Sequence, residues 1–232
     1  MGPQRLTIDW TACESLPRRV FSDADLRDIY REAEASLGIP PILLMEHAAI
    51  GAARVAEAML REHPGPVLVV CGRGNNAGDG LAVARLLHVA GTQVAVRVLG
   101  GSGGLRTDVA THANIADRLA LLAPDPDEPA LVIDALFGTG LARPIEGEAA
   151  ELVEKIAAHR AAGARVLALD LPSGMHADTG ACDGPHVAAD ITVTFAGLKR
   201  GFEEADPDVL GQIAVAPIGV PPSLLLGRGE PA

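Results

Sequence analysis

The sequence predicts an α/β protein with a mostly parallel sheet covered by helices on both faces. Short β-rich apolar runs alternate with helical segments along the chain, which is the pattern of that architecture. The 232 residues are 48% apolar but only 3% aromatic, so the core must consist of small and branched aliphatic side chains, as in a buried parallel sheet. The apolar run Pro66–Val70 leads directly into a glycine-rich loop, and a helical pattern follows it. A chain of this length is sufficient for one such domain.

The elements follow in order along the chain. Two helices come first, at Ser22–Leu37 and Ile42–Arg61, separated by a Gly-Ile-Pro-Pro break. Six strands are predicted at Val67–Cys71, Gln93–Leu99, Leu131–Ala135, Arg165–Asp170, Ile191–Phe195 and Gln212–Ala216. Three more helices are predicted at Gly80–Ala90, Arg106–Leu122 and Glu148–Ala162. The segment from Pro221 is rich in Pro and Gly, so we expect it to fray. We therefore divide the chain into an N-terminal extension (1–21), a single domain (22–222) and a C-terminal tail (223–232).

Composition and charge argue against several classes of protein. A net charge of −11 disfavours a nucleic-acid-binding surface. The three cysteines, Cys13, Cys71 and Cys182, show no metal or redox spacing, and their number suggests a reducing compartment. Residues 1–20 contain no apolar segment of a secretory signal, and no apolar run reaches transmembrane length. We expect a cytoplasmic protein with neither a nucleic acid nor a membrane as its partner.

The loop at residues 71–80 reads Cys-Gly-Arg-Gly-Asn-Asn-Ala-Gly-Asp-Gly. Its backbone N–H groups and the following helix N-terminus are suited to an anion such as phosphate. Gly72, Gly74 and Ala77 fit the spacing of a dinucleotide fingerprint, but no acidic residue ends the second predicted strand, where that motif would hold a ribose. Conventional NAD binding for redox chemistry is therefore disfavoured. No lysine lies near the loop, which also disfavours a nucleotide-hydrolysing P-loop.

Three predicted strands end in polar stretches, at residues 74–80, 134–141 and 170–174. Ligands of an open parallel sheet bind beyond the carboxyl ends of its strands. If the three strands are neighbours, Asn76, Asp134, Asp170 and Ser173 converge on one crevice. Oxygen ligands of this kind suit a hard cation rather than zinc. Taken singly, the aspartates could instead cap helices and the asparagines could be turn residues.

These stretches resemble the NAD(P)H-hydrate epimerases, the YjeF N-terminal domain family. The matching segments are 74–80, 134–141, 170–174 and 194–201, together with the helical segment 38–46. The resemblance runs from about Ser22 to Pro222. Its most specific part is the pair Asn-Asn-x-Gly-Asp-Gly and Asp-x-Pro-Ser-Gly.

The resemblance implies a Rossmann-like three-layer α/β/α sandwich with an N-terminal helical pair, acting in nicotinamide cofactor repair. Such an isomerase interconverts the R and S epimers of the 6-hydroxy hydrates of NADH and NADPH, called NADHX and NADPHX. A dehydratase then uses only the S epimer. The resemblance also implies one potassium ion (K+) per subunit and a homodimer. No dehydratase-like region follows the motifs, so we expect that partner on a separate chain.

The resemblance also implies a set of site residues. The hydrate-binding positions would be Asn75, Asn76, Ala77, Gly78, Asp79, Gly138, Thr139, Gly140, Leu141, Ala142, Arg143, Pro144 and Asp170. The potassium ligands would be Asn76, Asp134 and Ser173, with backbone carbonyls completing the shell.

Two positions depart from the family pattern. Ala77 replaces a glycine, which would cost about 1 kcal/mol if the backbone there needs a positive φ. Arg143 stands where a small residue is usual, and it could clasp a phosphate or lie on the surface. Neither change removes a proposed ligand.

Asp170 is the candidate for proton transfer at C6 of the hydrate, where one carboxylate could act first as acid and then as base. The alternative is that Asp170 only hydrogen-bonds the substrate. Lys199, one of two lysines, could anchor a phosphate, lie near the reaction centre or be solvated. A different class of function is a non-catalytic nucleotide-binding or protein-interaction scaffold of the same fold. The intact polar strand ends argue against it.

Overall fold

The computed structural model describes residues 19–141 and 143–231. Predictions that concern Cys13 and Ala142 therefore lie outside the described residues. Within the described part there are nine strands: β1 (Arg19–Phe21), β2 (Val67–Cys71), β3 (Val94–Val98), β4 (Leu131–Ala135), β5 (Arg165–Leu169), β6 (Ile191–Phe195), β7 (Leu198–Lys199), β8 (Gln212–Ala216) and β9 (Glu230–Pro231).

Seven α-helices accompany these strands in the same part of the chain. They are α1 (Asp23–Leu37), α2 (Pro41–Glu62), α3 (Asn75–Val89), α4 (Thr107–Arg118), α5 (Glu148–Ala161), α6 (Pro207–Leu210) and α7 (Pro222–Leu226). A single 3-10 turn covers Arg200–Glu203. None of the helices in the described ranges has both the length and the apolar character needed to cross a bilayer.

The main sheet has six strands in the order β3-β2-β4-β5-β6-β8, and all neighbours pair in parallel. Its inner strands β2, β4 and β6 are buried on both faces, whereas the edge strand β8 is partly exposed. Val67 and Val69 of β2 pack in the core that also contains α1 to α4, whereas Leu68 and Val70 pack with α5 on the other face. The predicted α/β class, with a three-layer arrangement, is confirmed.

Helix α3 begins at Asn75, five residues before the predicted start at Gly80. The glycines that suggested a loop lie inside the helix because close packing requires them there. A Cβ on Gly80 would lie 2.5 Å from the Cβ of Ala135, and one on Gly78 would overlap the side chain of Met45. The first turn of α3 therefore lies tightly against the sheet.

A second, three-stranded sheet joins the two ends of the described chain in the order β7-β1-β9. Strand β1 is parallel to β7 and antiparallel to β9. The expectation that the chain frays from Pro221 is wrong, because Leu224 and Leu225 of α7 are buried and β9 pairs with β1. The predicted domain boundaries at residues 22 and 222 stay a prediction.

Candidate functional site

The carboxyl ends of three neighbouring strands form the candidate site. Strand β4 lies between β2 and β5, so the polar stretches that follow these strands are adjacent. Asn76 lies in the first turn of α3, Asp134 is in β4, and Asp170 and Ser173 follow β5. The structure thus brings together the four side chains that the sequence placed at one crevice.

Asn76 links the other two strand ends. Its Nδ2 donates to the carbonyl oxygens of Phe137, at 3.0 Å, and Leu169, at 3.1 Å. Its Oδ1 is buried and has no hydrogen-bond partner among the described residues. A buried acceptor without a donor is uncommon and calls for a ligand or water.

Asp134 and Ser173 form a fully buried pair. The Ser173 hydroxyl donates to Asp134 Oδ1 at 2.6 Å, and the Ser173 amide donates to Oδ2 at 2.8 Å. The Leu136 amide also donates to Oδ1, at 3.2 Å. Burial raises the pKa of Asp134 to about 6, although the hydrogen bonds from Ser173 oppose that shift. Asp134 therefore does not cap a helix; it binds the loops after β4 and β5.

These three residues fit a hard monovalent cation. The acceptor atoms of their side chains are all oxygens, and the buried Asn76 Oδ1 has no hydrogen-bond partner in the described structure. Clusters of three or more His, Cys, Asp or Glu side chains suited to a metal are absent from residues 19–141 and 143–231, so the donor set does not suit zinc.

Asp170 has an unusual backbone conformation, with φ at 68°. Left-handed φ values are uncommon for residues other than glycine, and such strain concentrates at functional sites. The Asp170 amide donates to the Val193 carbonyl at 2.7 Å, and its Oδ2 accepts from the Thr139 amide at 3.3 Å. A Cβ on Gly138 would lie 2.9 Å from Oδ2, so glycine is needed for this approach.

Lys199 is the counter-ion of Asp170. Its Nζ lies 2.8 Å from Asp170 Oδ1 and donates to the Phe195 carbonyl at 3.0 Å. Only 1% of its side chain is exposed. The alternative of a solvated Lys199 is therefore wrong, because the ammonium is held inside the site by two oxygen partners.

The charge of Asp170 also affects two further groups. Burial and the charge of Asp170 raise the pKa of the Asp79 carboxyl well above its usual value, and Lys199 opposes the shift. Burial, followed by the charges of Asp170 and Asp79, also raises the pKa of Tyr30. Tyr30 comes from α1, and sequence reasoning missed it. The only signal available was that it is the sole tyrosine of the chain.

The remaining predicted binding residues lie along the rim. Gly138, Thr139 and Leu141 are half-buried, whereas Gly140, Arg143, Pro144 and Asn75 are exposed. Gly74 caps α3 without a side-chain hydrogen bond, and the Ala77 amide donates to the Gly74 carbonyl at 3.0 Å. The positive end of the helix dipole favours an anion at this position.

Ala77 is buried inside α3 and is not among the residues with positive φ, so the anticipated backbone cost does not arise. Arg143 is exposed on the rim, and its side chain is available to solvent or to a ligand.

Comparison with known proteins identifies the family. A model of the YjeF-related protein N-terminus matches residues 42–201. The chain belongs to this family. A Limosilactobacillus fermentum protein named NAD(P)H-hydrate epimerase is 44% identical over 172 residues, which are 72% of this chain and 80% of the relative. A Rhodopirellula baltica protein of the same name is 39% identical over 86% of this chain and 84% of its own length.

Two further similarities concern chain length and fold. A Moorella thermoacetica protein named bifunctional NAD(P)H-hydrate repair enzyme is 38% identical, and this chain corresponds to 41% of its length. The crystal structure of the yeast protein ynu0 aligns with a TM-score of 0.74 over 92% of this chain and 95% of that one, at 22% identity. At that identity, the yeast structure supports the fold alone.

Proposed function

We propose that this protein is an NAD(P)H-hydrate epimerase, an isomerase that interconverts the R and S epimers of NADHX and NADPHX. Relatives of that name match it at 44% and 39% identity over four fifths or more of their own length. The observation that carries the proposal is the convergence of three family motifs on one crevice, where a strained carboxylate faces a buried ammonium.

The reaction requires C6 of the hydrate to lose its configuration and regain the opposite one. In one route the C6–O bond breaks, water departs and an iminium remains. In the other route the C6–N bond breaks and an aldehyde forms. Bond formation on the opposite face of C6 then gives the other epimer. Both routes move a proton at the C6 oxygen. We assign that transfer to Asp170, whose Oδ2 is held by the Thr139 amide at the mouth of the crevice.

The rest of the rim is suited to binding the dinucleotide. The N-terminus of α3, which begins at Asn75 and has no side-chain cap, is suited to the pyrophosphate. Asn75 is exposed at the first position of α3 and has an amide that both donates and accepts, which suits the carboxamide of the hydrate. Arg143 would add a charge-assisted contact to phosphate.

Potassium is part of the proposal. Asn76, Asp134 and Ser173 would hold it: Asp134 and Ser173 are hydrogen-bonded to each other, and the buried Asn76 Oδ1 has no hydrogen-bond partner in the described structure. A bound potassium ion supplies positive charge that organises the loops, because a large monovalent cation polarises its ligands only weakly. The protein groups then orient the hydrate and move its proton.

We further propose that the protein works as a homodimer in the cytoplasm and passes the S epimer to an NAD(P)H-hydrate dehydratase on a separate chain. Analytical ultracentrifugation tests the dimer directly, and a monomeric mass at assay concentration would contradict it. The relative named bifunctional NAD(P)H-hydrate repair enzyme supports a functional link between this domain and a second repair activity.

The function is tested by mixing the R hydrate, an S-specific dehydratase and this protein, and following the absorbance of the regenerated reduced cofactor. We expect regeneration well above the uncatalysed rate, and loss of that acceleration in Asp170→Asn. Asp117→Asn, an exposed aspartate on α4, is the matched control. No acceleration by the wild-type protein would favour the non-catalytic scaffold.

A further inference from the structure

Lys199 connects the two sheets of the molecule. Its backbone belongs to β7, where it pairs with Phe21 of β1. Its side chain reaches Asp170 Oδ1, 2.8 Å away, at the end of β5 in the main sheet. The position of β7 therefore determines where the ammonium meets Asp170.

Strand β1 is packed tightly against the loop that precedes Lys199. Phe21 is fully buried, and a Cβ on Gly197 would lie 2.8 Å from Cδ2 of its ring. On the other side, a Cβ on Gly229 would lie 2.6 Å from Cδ1 of the same ring. The Phe21 ring thus fits between two positions where no side chain is possible without a shift.

The chain end locks β1 in place. Arg19 donates from Nε to the Arg228 carbonyl and from Nη2 to the Gly229 carbonyl, both at 2.6 Å. Strand β9 then pairs with β1 on the side opposite β7. Both edges of β1 are therefore bonded.

The loop between β6 and β7 contains a second strained residue. Ala196 has φ at 66°, and it follows Phe195, whose carbonyl accepts from Lys199 Nζ. Strained backbone persists only where its surroundings determine it strongly. The Ala196 amide donates to the Ala216 carbonyl of β8 at 3.1 Å, and the next residue, Gly197, packs against Phe21 of β1. A left-handed residue therefore stands beside each partner of the ion pair, at neighbouring strand ends.

We propose that strand β1, held between β7 and β9, sets the position of Lys199, and that Lys199 in turn holds Asp170 in its reactive conformation. Lys199 is then a positioning residue for the epimerase reaction, so this inference rests on the proposed function. Residues 19–21 and 228–231 lie outside the matched family segment, yet they belong to the scaffold of the active site.

The first test compares Lys199→Met with Lys199→Arg. We expect Lys199→Met to lower kcat by about 100-fold, the size of effect that follows misplacement of a reacting group, with little change in KM. Lys199→Arg should retain more of the rate because it keeps the charge, although its geometry differs. Lys155→Met removes the other lysine, which pairs with Asp125 at the surface, and should leave both constants unchanged. A higher KM at unchanged kcat would mean that Lys199 binds substrate and would overturn the proposal.

The second test asks whether β1 acts through Lys199. Phe21→Ala should lower kcat in the wild-type background and have little further effect on kcat in Lys199→Met. The effects of two substitutions do not add when one residue acts through the other. Additive losses would contradict the proposal. Where Phe21→Ala does not fold, Phe21→Leu makes the same comparison with a smaller cavity.

The third measurement needs no activity. In the ligand-free protein, Lys199→Met and Phe21→Ala should both shift the amide NMR resonances of Asp170 and Thr139, whereas Lys155→Met should not. Shifted resonances in a protein without epimerase activity would refute the proposed function and leave the positioning role standing. An active protein in which neither the resonances nor kcat respond would refute the positioning role alone.

Discussion

At the residue scale, the site depends on a carboxylate in a conformation that its residue type avoids. Asp170 adopts a left-handed φ and is restrained by Lys199 and by the Thr139 amide. Burial near that charge gives Asp79 a carboxyl that retains its proton more readily than a free aspartate. Two neighbouring carboxylates in different environments are a common arrangement for acid–base chemistry.

The raised pKa of Asp79 has a consequence for stability. The unfolded chain loses this proton near pH 3.8, whereas the folded protein keeps it to higher pH. The stability it contributes is therefore present below about pH 3.8 and is lost as the pH rises through the folded pKa. We expect Asp79→Asn to raise Tm relative to wild type by more at about pH 7 than at about pH 4. An equal increase in Tm at both pH values would contradict this expectation. Asp117→Asn is the control.

Gly138 is the second residue whose role is testable. In Gly138→Ala the new methyl group would stand 2.9 Å from Asp170 Oδ2, closer than a methyl group approaches a carboxylate oxygen. We expect kcat to fall by about 100-fold through displacement of the carboxylate. Gly103→Ala, where nothing lies within 4 Å of the added Cβ, should leave kcat unchanged in the same assay.

At the scale of elements, the site exists because three parallel strands are neighbours and end together. The loops after β4 and β5 and the first turn of α3 are joined by buried polar contacts rather than by apolar packing. The Asp134–Ser173 pair and the two bonds from Asn76 supply those contacts. A cation shared by these loops would add to the same connection.

Potassium should therefore stabilise the folded protein by mass action. We expect potassium chloride to raise Tm more than choline chloride at equal concentration, and Asp134→Ala to lose that difference. Asp117→Ala should retain it. An Asp134→Ala protein that kept the full epimerase rate without potassium would contradict the proposed role of the ion.

At the scale of the whole molecule, the negative net charge of the protein opposes binding of an anionic substrate. The net charge of −11 repels an anionic dinucleotide, so binding depends on local donors in the crevice. We expect KM for the hydrate to fall as ionic strength rises at constant potassium, because salt screens the long-range repulsion. A KM that rose steadily with salt would show that local positive charge dominates instead.

The main sheet could be predicted from the sequence because each of its strands is a short, predominantly apolar and β-branched run between turn signals. The predicted bounds of β2, β4, β6 and β8 agree with the structure. The predicted start of α3 was wrong because the sequence pattern assigned to a loop glycines that in the structure allow close helix packing. Local patterns do not distinguish these two uses of glycine.

The second sheet could not be predicted in the same way. Strands β1, β7 and β9 are two or three residues long, and only pairing between distant parts of the chain stabilises them. The same holds for Lys199, because a lysine is buried only where folding supplies partners for its charge. Its partners are Asp170, which follows β5, and Phe195, which ends β6. The convergence of the polar strand ends was predictable, since it follows from parallel pairing.

The most direct measurement is the crystal structure of Asp170→Asn with the R hydrate bound in the presence of potassium. We expect the C6 oxygen to lie within hydrogen-bond distance of the side chain of residue 170, with the pyrophosphate at the start of α3. A hydrate bound at another surface, or with C6 turned away from residue 170, would contradict it.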